Sequence, residues 1–390
     1  MKILEVLDSF YPSIDGPVNC IVNIAKTLNE KGLAKVDILV PKYKKIVNID
    51  GIDIFRCKSI KGPEGYYVGL PQFDRNVKNL IKWGGYDLIH VHSPFTIGRY
   101  VIYKSKKYNI PTLLTMHTKY KSDFERKLRT KTLQNFMMKY IMQGVNKADY
   151  VSSVSLGASQ TVKDYGYKGN NVFIVRNGTD LKPIQVSQDL LEEIKLKHNL
   201  QNKFVFLFVG RIVKNKNIQF SLEVLKNLKE IGEKNFKFLI VGNGDYLNSL
   251  KELVKKYNLV KEVEFLGRIS DREYLSAIYK SANLFLFPSE FDTCGIVAIE
   301  AAAMGIASAM IENTCASEVI NNKENGLSLK FDAKIWAEEL KNLINNKPLL
   351  QKMQKNALKT VYKSWEVVSL EYLDLYKKLV NESKSNKIKK

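Results

Sequence analysis

Short apolar runs punctuate the chain. Ile3–Leu7, Val36–Val40, Leu88–Val91, Thr112–Met116, Tyr150–Val154 and Val172–Val175 form one series; Phe204–Val209, Phe236–Val241, Val263–Leu266, Leu284–Phe287 and Ile306–Met310 form a second. Between them lie amphipathic stretches of helical length, such as Asn217–Ile231 and Tyr246–Tyr257. Short apolar runs bounded by helical patterns read as strands joined by crossover helices. The alternation predicts an α/β protein with two Rossmann-like, doubly wound parallel sheets, one for each series.

Asn177–Leu200 separates the two series. Its NGTDLKPI run supplies Asn, Gly and Pro turn signals ahead of a polar helix, which puts a hinge near Asp180–Ile184. The expected domains are 1–180 and 181–364. A last amphipathic pattern, with Val367, Val368, Leu370, Leu373, Leu375, Tyr376 and Leu379 apolar, predicts a helix over Trp365–Val380 ending in the basic run Lys384–Lys390, with the last residues disordered. This segment, 365–390, is expected to return to the first domain.

With 390 residues and 45% hydrophobic content, the chain is long enough for two cores. Cys20, Cys57, Cys294 and Cys315 are scattered, without the spacing of a zinc or redox site or the density of a disulfide scaffold, which fits a cytoplasmic protein. MKILEVLDSFYP has no signal-peptide pattern, and no apolar run approaches the roughly 20 residues of a membrane span. The net charge of +21 attracts anionic partners, either nucleic acid or a membrane surface. Tyr103–Lys147 holds eleven Lys and Arg against Asp123 and Glu125 alone, so a basic face is expected on the first domain; solvated surface helices would give the same run.

Candidate chemistry sits at strand ends. FVFLFVGRIVKNKNIQF puts Gly210, Arg211 and Lys216 past a strand and before a helix, where open α/β sheets bind ligands and where two cations can neutralise a diphosphate. In SEFDTCGIVAIEAAAMG, Gly295 opens a helix over Ile296–Met304. The unpaired amides of Gly295, Ile296 and Val297 can receive a diphosphate. Glu300, one turn on, can accept hydrogen bonds from ribose hydroxyls, and Asp292 can hold sugar hydroxyls.

The spacing Asp292-x7-Glu300 around Gly295, preceded by Gly210, Arg211 and Lys216 and followed by Glu318 and Asn325-Gly326-Leu327, resembles the signature of the retaining GT-B glycosyltransferases of family four. Asp15-Gly16 after the first strand, His90-Val91-His92-Ser93-Pro94, and His117-Thr118 after Thr112–Met116 resemble that family's first-domain motifs. The likeness runs from Met1 to about Val380. It implies two Rossmann-like domains facing across a cleft that closes over a nucleoside diphosphate sugar, most simply a UDP-sugar. Arg211 and Lys216 are then assigned to the diphosphate, Glu300 to the ribose, Asp292 to the sugar, His117 to the reacting centre, and Gly16 to the diphosphate or acceptor. One position departs from the pattern: the family's first acid is usually glutamate, and Asp292 is one methylene shorter, which puts sugar specificity in question.

The chain contains no Asp-x-Asp pair, the arrangement that would bridge a divalent cation to phosphates, so neither metal nor cofactor is expected. His90-x-His92 has no third His, Cys or carboxylate at ligand spacing, which argues against zinc. The expected acceptor is a hydroxyl of a lipid or membrane-associated glycan. A soluble capsule or exopolysaccharide chain is the alternative, and a non-catalytic sugar-nucleotide-binding protein is a further one. Leu128, Leu133, Phe136, Met137, Tyr140 and Ile141 form one stripe in the basic segment, expected to pack on the sheet while its cations attract anionic lipid at the inner face of the cell membrane. A nicotinamide dehydrogenase is excluded because no GxGxxG follows the first strand and Gly242-Asn243-Gly244 lacks a third glycine. Nucleic acid is not expected as a partner, since the chain carries no recognition motif for it.

Overall fold

The computed structural model describes residues 1–12, 16–62, 65–183 and 186–388, with the side chains beyond Ser385 outside that description. The chain forms two compact units, Met1–Gly178 with Trp365–Lys390, and Thr179–Ser364. Ile184, the last residue of the expected hinge, and Asp15 of the Asp15-Gly16 pair lie outside the described residues.

The first unit contains β1 (Lys2–Val6), β2 (Lys35–Pro41), β3 (Ile54–Cys57), β4 (Ser59–Lys61), β5 (Tyr67–Gly69), β6 (Leu88–Val91), β7 (Thr112–Met116), β8 (Tyr150–Ser153) and β9 (Val172–Ile174). Seven of these form a parallel sheet in the order β3-β2-β1-β6-β7-β8-β9, while β4 and β5 pair as a separate antiparallel hairpin. Alternate residues feed two cores. Ile3, Val36, Ile38, Leu88 and Leu113 pack with the helix Gly16–Glu30 and the closing helix, whereas Leu4, Leu39, Ile89, Val91 and Leu114 pack with helices Arg75–Trp83, Thr96–Lys107 and Lys131–Val145. Both faces of the sheet are therefore covered, which is why the strands read as nearly unbroken apolar runs.

The second unit contains β10 (Phe204–Val209), β11 (Phe236–Val241), β12 (Val263–Gly267), β13 (Leu284–Phe287), β14 (Ala307–Ile311) and β15 (Gly326–Leu329), parallel in the order β12-β11-β10-β13-β14-β15. In both sheets the strand order reverses direction beside the first strand of the unit. The reversal lies between β1 and β6 in one and between β10 and β13 in the other, and the crevice beyond such strand ends is where open sheets take ligands.

Three features differ from the sequence-based expectation. The strands β3, β4, β5 and β15 join the fold although their short, partly polar sequences carry little apolar signal. The closing helix continues past Val380 through Ile388, into the basic run, favoured by good helix formers and the Lys378–Glu382 pair at 4.0 Å; Lys389 and Lys390 lie outside the described residues. The basic segment is broken into two helices, Tyr120–Lys127 and Lys131–Val145, the second capped where Thr130 Oγ1 accepts from the Leu133 amide at 3.3 Å.

Candidate active site

In the second unit the loops after β10 and β13 lie side by side. Beyond β10, a 3₁₀ turn over Lys214–Lys216 ends at Asn217, and the Asn217 side-chain amide donates to Glu290 Oε2 of the facing loop at 2.8 Å. Lys216 Nζ donates to both carboxylate oxygens of Asp292, at 2.7 and 2.6 Å. The two residues expected to hold different parts of a ligand thus hold each other. Lys216 also lies 5.4 Å from the centre of the Phe287 ring. Arg211 is exposed, and among the described residues it makes no ion pair. Gly242, beyond β11, is there for backbone packing, because a Cβ on it would stand 1.8 Å from the Gly210 carbonyl oxygen.

Three residues beyond Asp292, Gly295 caps the helix Ile296–Ala303 with φ +65°, and an added Cβ would sit 3.1 Å from Ala316 Cβ. A left-handed residue in so tight a place is glycine's role. The first-turn amides of Ile296 and Val297 have no carbonyl four residues back within the helix to accept them, and they carry the positive end of its dipole.

Glu300 is buried, not a solvated helix residue. Its carboxylate accepts from Tyr279 Oη at 2.9 Å and from Arg272 at 3.3 Å, and Arg272 also pairs with Asp180. Burial raises the Glu300 pKa above the usual carboxylate value, and the Arg272 charge and the Tyr279 hydroxyl only partly offset it. Arg272, Tyr279 and Asp180 escaped the sequence reading because they come from other elements with no motif of their own. Asn325-Gly326-Leu327 is structural. The Asn325 amide donates to the Val319 carbonyl and Thr360 Oγ1, and Gly326 lies against the Ser308 carbonyl in β14. Glu318 lies in a 3₁₀ turn, Ser317–Val319.

In the first unit Gly16 begins the helix Gly16–Glu30. Asp8, beyond β1, caps a helix that lacks a cap of its own, accepting from the amides of Ile97 at 2.7 Å and Gly98 at 3.2 Å. On the sheet face under the closing helix, polar groups meet in the core. His117 Nε2 lies 2.8 Å from His92 Nδ1, and His92 Nε2 lies 2.5 Å from Glu5 Oε2. Tyr376 Oη donates to Glu5 Oε1 at 2.8 Å and lies 2.7 Å from His90 Nδ1. Burial pushes the Glu5 pKa up, but His90 and His92 outweigh it and hold the carboxyl well below the usual range. Burial also depresses His92 to about 4, and it takes His117 well below an ordinary imidazole. The expectation that no third ligand accompanies the His-x-His pair is corrected here. Distant segments bring ligand atoms of Cys20, His92 and His117 within 4.8 Å of one another, and likewise those of Glu5, His90 and His92. Glu5 was missed, although it is the one acid in β1 and faces the same way as Ile3.

The apolar stripe of the basic segment divides. Ile141 and Met142 are buried, but Leu133 is 44% and Phe136 is 63% exposed, so its first half does not pack on the sheet as expected. A hollow of about 670 Å³, lined by Tyr103, Met138, Met142, Lys139, Lys147 and Lys168 among others, lies toward the carboxyl end of the helix Lys131–Val145. Among the described residues, no helix is long and apolar enough to cross a membrane.

Residues 14–183 match the sequence profile of Glycosyltransferase Family 4, and residues 192–360 match that of glycosyl transferases group 1. The chain is a family-four glycosyltransferase. This transferase is 26% identical to the alpha-monoglucosyldiacylglycerol synthase of Acholeplasma laidlawii over 98% of its own length and 100% of the relative's. It is 24% identical to a GDP-mannose-dependent alpha-mannosyltransferase of Corynebacterium glutamicum, covering 84% of this chain and 76% of that one. Its fold is GT-B. Anabaena HepE in complex with UDP superposes with a TM-score of 0.78 at 17% identity, covering 97% of this transferase and 100% of that chain.

Proposed function

We propose that the transferase moves a hexose from a nucleoside diphosphate sugar, most simply a UDP-sugar, to a hydroxyl of a lipid or membrane-associated glycan, with retention and without a metal. The observation that carries this reading is the clamp of Lys216 on Asp292 beside the Gly295 helix start. A preorganised cation and outward amides there can meet the charge that develops on a departing diphosphate. Lys216 turns from Asp292 to the phosphates as the donor enters, which leaves Asp292 to the sugar hydroxyls. Arg211 adds the second cation. Glu300, positioned by Arg272 and Tyr279, accepts from the ribose. The acceptor oxygen replaces the diphosphate on the same face of the sugar, and its proton leaves with the diphosphate. The family resemblance assigns His117 to the reacting centre and Gly16 to the diphosphate or acceptor.

A lipid acceptor is supported by the glucolipid synthase relative and by exposed Leu133 and Phe136 among the lysines of the first unit, which suit peripheral docking on the cytoplasmic side of an anionic membrane. The test is transfer from a panel of UDP-, GDP-, ADP- and TDP-sugars to membrane lipid extracts, with and without EDTA and anionic vesicles. Selective, EDTA-insensitive transfer to a lipid, lost in Glu300→Ala, is expected; transfer that EDTA abolishes, or that goes only to soluble glycans, would overturn the corresponding part of the reading.

A further inference from the structure

The buried polar groups of the first unit form one connected chain of hydrogen bonds. Glu5 and His90 are direct neighbours across β1 and β6, Thr115 and Ser152 across β7 and β8, and His92 and His117 continue the same faces two residues beyond His90 and Thr115. Tyr376 reaches the cluster from the closing helix. Such a chain has few consistent arrangements of its protons, because each link has one hydrogen.

The arrangement follows from the carboxylate. An ionised Glu5 only accepts, so His92 Nε2, 2.5 Å away, carries a proton and donates it. A neutral His92 then has its lone pair on Nδ1, and the 2.8 Å contact there requires the proton on His117 Nε2. A neutral His117 is left with its lone pair on Nδ1. The second branch is equally determined. The Tyr376 hydrogen goes to Glu5, so the Tyr376 oxygen accepts from His90 Nδ1, and His90 Nε2 accepts from Thr115 Oγ1 at 2.6 Å. Burial, which keeps His92 and His117 neutral, supports both steps.

We propose that Glu5 is a positioning residue that sets the tautomer of His117 through His92, placing the His117 proton on Nε2 and the lone pair on Nδ1, with Tyr376 holding the carboxylate in place. The consequence for turnover rests on the assignment of His117 to the reacting centre; the tautomer itself does not. Replacing Glu5 by Gln keeps the shape but supplies a donor. A carboxamide NH₂ turned toward His92 Nε2 reverses each link, so His117 carries its proton on Nδ1 instead.

The chain has four histidines, so the imidazole ¹⁵N spectrum of the full-length protein labelled at histidine is simple enough to assign by single His→Gln variants. The expected wild-type spectrum has His117 Nε2 in the protonated range and Nδ1 in the lone-pair range. Glu5→Gln is expected to reverse or mix this pattern, while Tyr376→Phe keeps it. A wild-type His117 protonated on Nδ1, or a Glu5→Gln spectrum identical to wild type, would overturn the proposal. The wild-type spectrum alone decides the assignment if the variant does not fold, and neither spectrum depends on the transferase being active. With transferase activity in hand, Glu5→Gln is expected to lower kcat by about a hundred-fold, the scale of a positioned proton-transfer group, while the donor KM stays within about two-fold. A change in KM alone would assign Glu5 to donor binding and contradict the proposal.

Discussion

The two units share a strand order but place polarity differently around it. The second unit keeps Lys216 and Asp292 on the loops past β10 and β13, partly exposed and joined to each other by an ion pair. The first unit buries its titratable groups on the sheet itself, where Glu5 and His90 are inaccessible to solvent and each bond fixes the next. A partly exposed pair is easier to exchange than a buried, satisfied network, which is costly to break and fixes one arrangement. Binding of a charged ligand therefore suits the second unit, and geometric precision at a reacting group suits the first.

The sharpest way to break this comparison is to remove a charge from the second unit. Lys216→Ala is expected to lower transfer by about a hundred- to a thousand-fold, the cost of one preorganised group facing developing charge, with thermal stability near wild type. Initial-rate measurements against donor concentration check it. Gly295→Ala probes the same site through the backbone. The left-handed φ and the Ala316 contact predict a loss of about 1–2 kcal/mol in stability, read by denaturant unfolding, together with weaker donor binding.

In the first unit the expected losses lie in stability. Tyr376→Phe leaves Glu5 short of one donor and should cost about 1–3 kcal/mol, measured by urea titration, without affecting nucleotide binding. Acid should act on the same cluster. His92 titrates at about 4 in the folded chain against 6.5 ordinarily, so the unfolded chain takes up its proton first as the pH falls. The stability this ring contributes is full above pH 6.5 and is lost as pH drops toward 4, with His117 acting in the same direction. Glu5, held low by His90 and His92, adds a loss only below the ordinary carboxylate range. Melting temperatures at successive pH values should fall across that window, with a shallower slope in His92→Gln. The smallest effect concerns the surface. Phe136→Ser should weaken sedimentation with anionic vesicles by about ten-fold or less, the scale of one exposed apolar side chain.

Much of the fold was legible because strands covered on both faces leave apolar runs that survive in a single sequence, as Phe236–Val241 and Thr112–Met116 do. β3 was not legible, since it is an edge strand carrying Arg56, and β15 was not, since Gly326 and Ser328 occupy half of it. The loop residues of the second unit could be found because Arg211, Lys216, Asp292 and Gly295 cluster at strand ends and at a helix start. What surrounds Glu300 was not legible, because Tyr279 and Arg272 meet it only in space. The network under the closing helix left a signal that periodicity alone overlooks: Glu5, His90 and Thr115 are polar residues, one in each of three strands, with apolar neighbours on either side.

The division of labour between the units is tested most directly by calorimetric titration of UDP into wild type, Lys216→Ala and His117→Gln at one salt concentration. The account predicts that Lys216→Ala weakens UDP binding by about ten-fold or more, the scale of a lost charge-assisted contact, while His117→Gln binds as wild type. Equal binding by Lys216→Ala and wild type, or an equal loss in both variants, would contradict it.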